Sequence, residues 1–392
     1  MKAYNETWVR NRAVVEQAEQ WHRQRRLSDA QIDAVRRSFP FEFRQTNGFL
    51  EVGLFLFTIV AIMSCYLLPA AAIGTLLDDR VLSGQFNIVA GIAIGLVGRL
   101  LINRWQLYRN GADNAFAVIQ TGFLAFGFNQ LLPTNLTLAT YCLLTLPILL
   151  AMLWYYGDTL LTFITLAAFY TFVFDGMLGF SWGKAALPFV MMAVSGGLFV
   201  LARRIDTSPY YADPLNLVQW VALIVLVASG NYFVVRELNG LLTDPVPGQP
   251  TPADTPEIAL SWLFWLLTFV IPVTYLHQGL AHKNRTLIIL GSLGMIAAVA
   301  TVHEYTALLP LNVALTLGGL TLIGLAVAII RFLNEPKHGF TDDPDYESPN
   351  RFFVNVGTAV AMQAAPGAQT SPKDGVQFGG GNFGGGGSEG KY

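Results

Sequence analysis

Ten stretches of mostly apolar residues, each near the length of a bilayer-crossing helix, constrain this chain more than any other feature. About 20 such residues are needed to cross the hydrocarbon. The runs lie at about 49–68, 86–102, 112–131, 136–154, 158–175, 186–202, 215–235, 258–277, 286–303 and 311–330. Of the 392 residues, 53% are hydrophobic and only 13% are charged, about half the charged fraction of an ordinary soluble domain, roughly 25%. So few charges cannot cover the surface of a soluble fold of this length. The expected fold is all-α: a polytopic transmembrane bundle of about ten spans, with the lipid bilayer as its solvent.

The basic residues give an independent reading of topology, because cytoplasmic connectors are enriched in Lys and Arg. With residue 1 placed inside, nine fall in residues 1–48, and Arg99, Arg104 and Arg109 follow at the end of the second span. Arg203, Arg204, Lys283 and Arg285 fall in later inside connectors, and five more in the segment after 330. Only Arg80, Lys184 and Arg236 fall outside, so 21 of the 24 basic residues lie on one side. Such asymmetry predicts ten spans with both ends cytoplasmic. Residues 1–48 lack an apolar core like that of a cleavable signal, so the first span is expected to serve as an uncleaved signal anchor.

Three regions follow: residues 1–47, 48–333 and 334–392. In the first, Trp8, Val14, Val15, Ala18 and Trp21 recur near helical spacing. Ser28 with Gln31 reads as a capping box opening a second helix, whose stripe is Ile32, Val35 and Phe39 and which Pro40 stops. This predicts a cytosolic helix hairpin against the membrane face, with Arg23, Arg25, Arg26, Arg36 and Arg37 near anionic headgroups. Five prolines between 237 and 257 predict an extended loop. After Arg331 come an acidic linker, a short helix at 351–363 and a Gly-rich stretch. That last composition buries no core and predicts disorder, with Phe378 and Phe383 as handles for a protein partner.

Candidate functional groups are few. Ionisable residues at membrane depth are costly and draw attention. Glu51, Asp113, Asp158 and Asp175 sit at span ends, where Asp158 suits an N-cap. His303 and Glu304 are expected to form an external, proton-accepting pair, while His277 and His282 lie at the opposite face. No zinc-protease, Walker or dinucleotide pattern is present. Cys65 and Cys142, the only cysteines, make no metal spacing. No catalytic, cofactor-binding or metal site is therefore expected, and a net charge of −2 suggests no nucleic acid. Pro147 and Pro272 are expected to kink their spans. Asn114, Gln120, Thr121, Asn129, Thr162, Thr165 and Asn231 would line any cavity. The small residues Gly91, Gly95 and Gly98 predict close helix packing first, and a homo-oligomer second.

The segment Trp21-His-Arg-Gln-Arg-Arg-Leu-Ser-Asp-Ala-Gln-Ile-Asp-Ala-Val, followed by the bundle, resembles a family of bacterial membrane proteins of unknown function. In those, a cytosolic helix pair precedes a run of spans. The resemblance covers about 40 residues, points to the bacterial inner membrane and implies no activity. On the residues themselves, the first expectation is a scaffolding or partner-binding membrane protein acting through its cytosolic ends. The alternatives are a transporter or channel for a small solute, and then a membrane enzyme acting on lipid-linked substrates.

Overall fold

Side-chain caps set where the first helices begin. In the computed structural model Asn5 accepts from the Thr7 and Trp8 amides and opens α1 (Glu6–Arg23). Ser28 and Gln31 form the expected reciprocal box and open α2 (Asp29–Ser38), which ends before Pro40. The two helices run antiparallel, with Arg36 on Glu19 at 2.9 Å and Asn11 donating to the Pro40 carbonyl at 2.8 Å. Val9, Val15, Ala18 and Ile32 are buried. Trp21 and Phe39, expected on the apolar stripes, are exposed instead.

The structure describes residues 2–44, 48–205, 208–242, 257–258, 260–306 and scattered helical positions between 313 and 331. Among these there are twelve α-helices, a 3₁₀ turn (Gly74–Asp78) and no strand. The bundle comprises α3 (Gly48–Ala72), α4 (Arg80–Trp105), α5 (Ala112–Leu131), α6 (Leu138–Tyr156), α7 (Thr159–Leu178) and α8 (Gly183–Arg204). It continues with α9 (Ala212–Gly230), α10 (Tyr232–Leu241), α11 (Ser261–Ala281) and α12 (Arg285–Thr306). Eight of these, all but α5 and α10, are long and apolar enough to cross a membrane. The run expected at 311–330, the Pro-rich loop, the helix expected at 351–363 and the Gly-rich tail with Phe378 and Phe383 lie outside the described residues, apart from isolated positions.

Two hubs organise the bundle. α5 packs against α3, α4, α6 and α7; α9 packs against α7, α8, α11 and α12. The position of α5 explains its polarity. Neighbouring helices cover most of it, leaving Phe126 exposed, and its amides are satisfied by those neighbours. Gln120 accepts from the Tyr156 hydroxyl at 2.6 Å, Asn129 from Thr145 at 3.1 Å and Gln130 from Asn87 at 3.0 Å. Unpaired, such groups would each cost several kcal/mol in hydrocarbon.

The α4–α5 contact is close because α4 has no side chains along it. A Cβ on Gly95 would lie 2.3 Å from the Gln120 amide nitrogen, and one on Gly91 would lie 3.0 Å from Leu124. Gly98 meets Phe116, and Gly84 meets Gly127. The expected small-residue stripe is thus occupied internally. Pro147 and Pro272 lie inside α6 and α11.

The run read as one span at 215–235 is interrupted. At Asn231 the backbone is extended (φ −82°, ψ 127°), dividing α9 from α10. Its side chain accepts from the Val234 amide at 3.2 Å and so caps the new helix. The Tyr232 amide donates to Thr268 Oγ1 at 2.9 Å. An Asn carboxamide supplies the cap that a break within apolar surroundings requires.

Candidate functional site

The most concentrated polar chemistry lies where residues 2–5 meet the bundle, at the end shared by α1, the α4–α5 loop and the starts of α7 and α9. The α4–α5 loop turns tightly: Gln106 (φ 51°), Arg109 (φ 52°) and Gly111 (φ 92°) all take left-handed conformations. Gly111 is required there, since a Cβ would lie 1.9 Å from the Glu51 carbonyl oxygen of α3.

Asp113, in the first turn of α5, is completely buried. Its carboxylate accepts from the Arg109 amide at 2.7 Å, the Asn110 amide at 3.1 Å and the Tyr4 hydroxyl at 2.9 Å. A buried carboxylate without donors would be strongly destabilising; here three donors converge on it. Burial, and then the Asp113 and Asp158 charges, push the Tyr4 phenol well above its ordinary value, so Tyr4 stays a neutral donor.

Aromatic side chains complete the seat. Tyr4 meets Tyr108 edge-on at 5.0 Å, Phe43 stacks on Tyr108 at 4.7 Å, and Trp8 meets Phe43 at 5.5 Å. The Lys2 ammonium lies 4.6 Å from both the Tyr210 and Tyr211 rings and 3.0 Å from Glu6. The carbonyls at the end of α6 are also used. Ala3 donates its amide to Tyr155 O at 3.0 Å, and Tyr210 donates its hydroxyl there at 2.6 Å. Tyr211 donates to Trp154 O at 2.7 Å. Arg109 pairs with Asp213 at the start of α9. Beside the seat, α1 and Pro209 enclose a cleft of about 320 Å³ lined by Arg10, Ala13, Val14, Gln17 and Trp21.

Of the residues singled out from sequence, Asp113 belongs to this cluster. Asp158 caps α7 next to it, accepting from the Leu161 amide at 3.0 Å. The Glu51 backbone carbonyl meets it at Gly111. Asp175 lies at the other end of the bundle, where its carboxylate accepts from the Ala139 amide at 2.7 Å and caps the first turn of α6. His303 and Glu304 also lie there, in the last turn of α12 near Asn231 and Thr301. Among the described residues no three His, Cys, Asp or Glu side chains are placed to hold a metal. Tyr4, Tyr108 and Tyr210 were not anticipated. The one trace in the sequence is the pair of double tyrosines, Tyr155-Tyr156 and Tyr210-Tyr211, in connectors on the same side. Compared with protein families, curated proteins and solved structures, the chain has no match in any of the three.

Proposed function

We propose that this chain is a ten-span protein of a bacterial inner membrane, with both ends cytoplasmic, that acts as a scaffold. Its helix hairpin would present a fixed docking face to a cytosolic partner. The observation that carries this reading is the seat of residues 2–5. The Tyr4–Asp113 bond, the Ala3–Tyr155 bond and the Lys2–tyrosine contacts fix α1 to the bundle, so the exposed Trp21 edge and the Arg10-lined cleft keep one orientation. Charge placement supports the topology, with 21 of 24 basic residues on the hairpin's side. In this reading α5, packed against four helices, and the run at 311–330 complete the ten spans. The test is an affinity pull-down from solubilised membranes, comparing the wild type with Trp21→Ala/Arg10→Glu and with a form lacking residues 334–392. Proteins retained by the wild type should be lost from at least one variant. Identical sets from all three would end the scaffold reading.

A second reading, a small-solute transporter, is favoured by the break at Asn231, since discontinuous helices often build transport sites. Solute uptake into vesicles holding the purified protein, lost in Asn231→Ala, would support it.

A further inference from the structure

At the end of the bundle remote from the hairpin, α9, α10 and α12 enclose a groove of about 530 Å³. That lies within the roughly 300–1,000 Å³ of small-molecule sites. Val227, Leu293 and Ala297 line its length; Asn231, Thr301 and Glu304 line one end. It opens on the bundle's outer surface, where Leu293, Ile224 and Val234 are exposed. α9 and α12 are both long and apolar enough to cross a membrane. They ascend together, with Val227 beside Gly294 and Asn231 bonded to Thr301, so the groove runs along the axes of two membrane-crossing candidates. From Leu290 to Glu304 it extends about 21 Å at 1.5 Å per residue. One leaflet contributes about 15 Å of hydrocarbon, half of the roughly 30 Å core, and the remainder reaches the headgroups.

The polar end is suited to a specific amphiphile. Asn231 is only 6% exposed. Its Nδ2 donates one N–H to Thr301 Oγ1 at 3.1 Å while its Oδ1 caps α10. A carboxamide has two N–H donors, and none of these contacts uses the second. At the mouth, Glu304 offers an exposed carboxylate. A donor at ester depth and then an anion at headgroup depth complement an ester carbonyl and a primary ammonium. We propose that this groove holds one phospholipid with a primary-amine headgroup, from the leaflet opposite the hairpin. The site is independent of the scaffold reading.

The test is native mass spectrometry of the full chain in detergent. The protein is loaded separately with phosphatidylethanolamine, phosphatidylcholine and phosphatidylglycerol of the same acyl chains. The wild type should retain one phosphatidylethanolamine, about three- to fivefold above phosphatidylcholine, whose quaternary ammonium carries the same charge but has no N–H to donate to the Glu304 carboxylate. Glu304→Gln should erase that preference while acyl binding persists. Ala297→Phe, which fills the groove from a surface position, should abolish retention of all three lipids. Should that variant fail to fold, Ala300→Phe replaces it. A wild type retaining no lipid, because residues 307–331 or a second copy fill the groove, would overturn the proposal. So would phosphatidylglycerol held most tightly, or retention unchanged by the filling substitution.

Discussion

Asp113 and Tyr4 are 109 residues apart in sequence, and their hydrogen bond is buried. Replacing Tyr4 with Phe keeps the ring packing on Tyr108 but withdraws one of three donors from a buried carboxylate, a loss of about 1–3 kcal/mol. Thermal unfolding in detergent should register this as a lowered midpoint; an unchanged midpoint would mean the seat is not structural. The pH dependence has a definite sign. The phenol's folded value is raised above 10 by burial, so the neutral phenol's contribution is complete below pH about 10 and fades as pH rises through the higher folded value. Residues 2–5 should therefore stay seated at neutral pH and release only in strong alkali, earlier than the bundle unfolds. Proteolysis near Lys2 as a function of pH measures this. At this scale the sequence was only partly legible. Asp158 as an N-cap follows from one residue type at one helix boundary. The Tyr4–Asp113 bond depends on a tertiary approach that no local spacing encodes, and Asp113 by itself reads as one more interfacial carboxylate.

Helices were more legible than contacts, because a bilayer imposes length and apolarity on any element it surrounds. The same reasoning explains the two departures. α5 carries Gln120, Asn129 and Gln130 because neighbouring helices satisfy them, and those polar groups leave it less apolar than the eight long spans. The break at Asn231 escapes notice because an apolar run with one Asn has the composition of an unbroken span. What separates α9 from α10 is the pairing of that Asn with Thr301 and the helix that follows. The α4 glycines give a further test. Leu at position 95 must displace the Gln120 amide, an overpacking penalty of about 1–3 kcal/mol. Leu at position 197, where no atom lies within 4 Å of the added Cβ, should change stability by less than about 0.5 kcal/mol. Melting of the two variants side by side separates internal packing from a general intolerance of bulk. Equal effects would mean α4 and α5 do not approach as described.

For the whole molecule, the packed α5, the fixed hairpin and the proposed lipid groove gain biological meaning from how the bundle is threaded through its membrane. Met1–Asp342 form one compact unit, so the hairpin shares a body with the helices that follow, and its side of the bilayer sets the sides of all the rest. In the proposed topology, which rests on the Lys and Arg asymmetry, the hairpin is cytoplasmic and the groove's mouth and Glu304 lie at the opposite face. Topology reporters fused at residues 110, 207 and 283, and separately at 80, 181 and 248, measure this directly. Cytoplasmic signals from the first three and external signals from the second three are expected. An external signal at 207 would contradict it, since the α8–α9 connector beside Tyr210 would then lie across the membrane from the hairpin it is packed against.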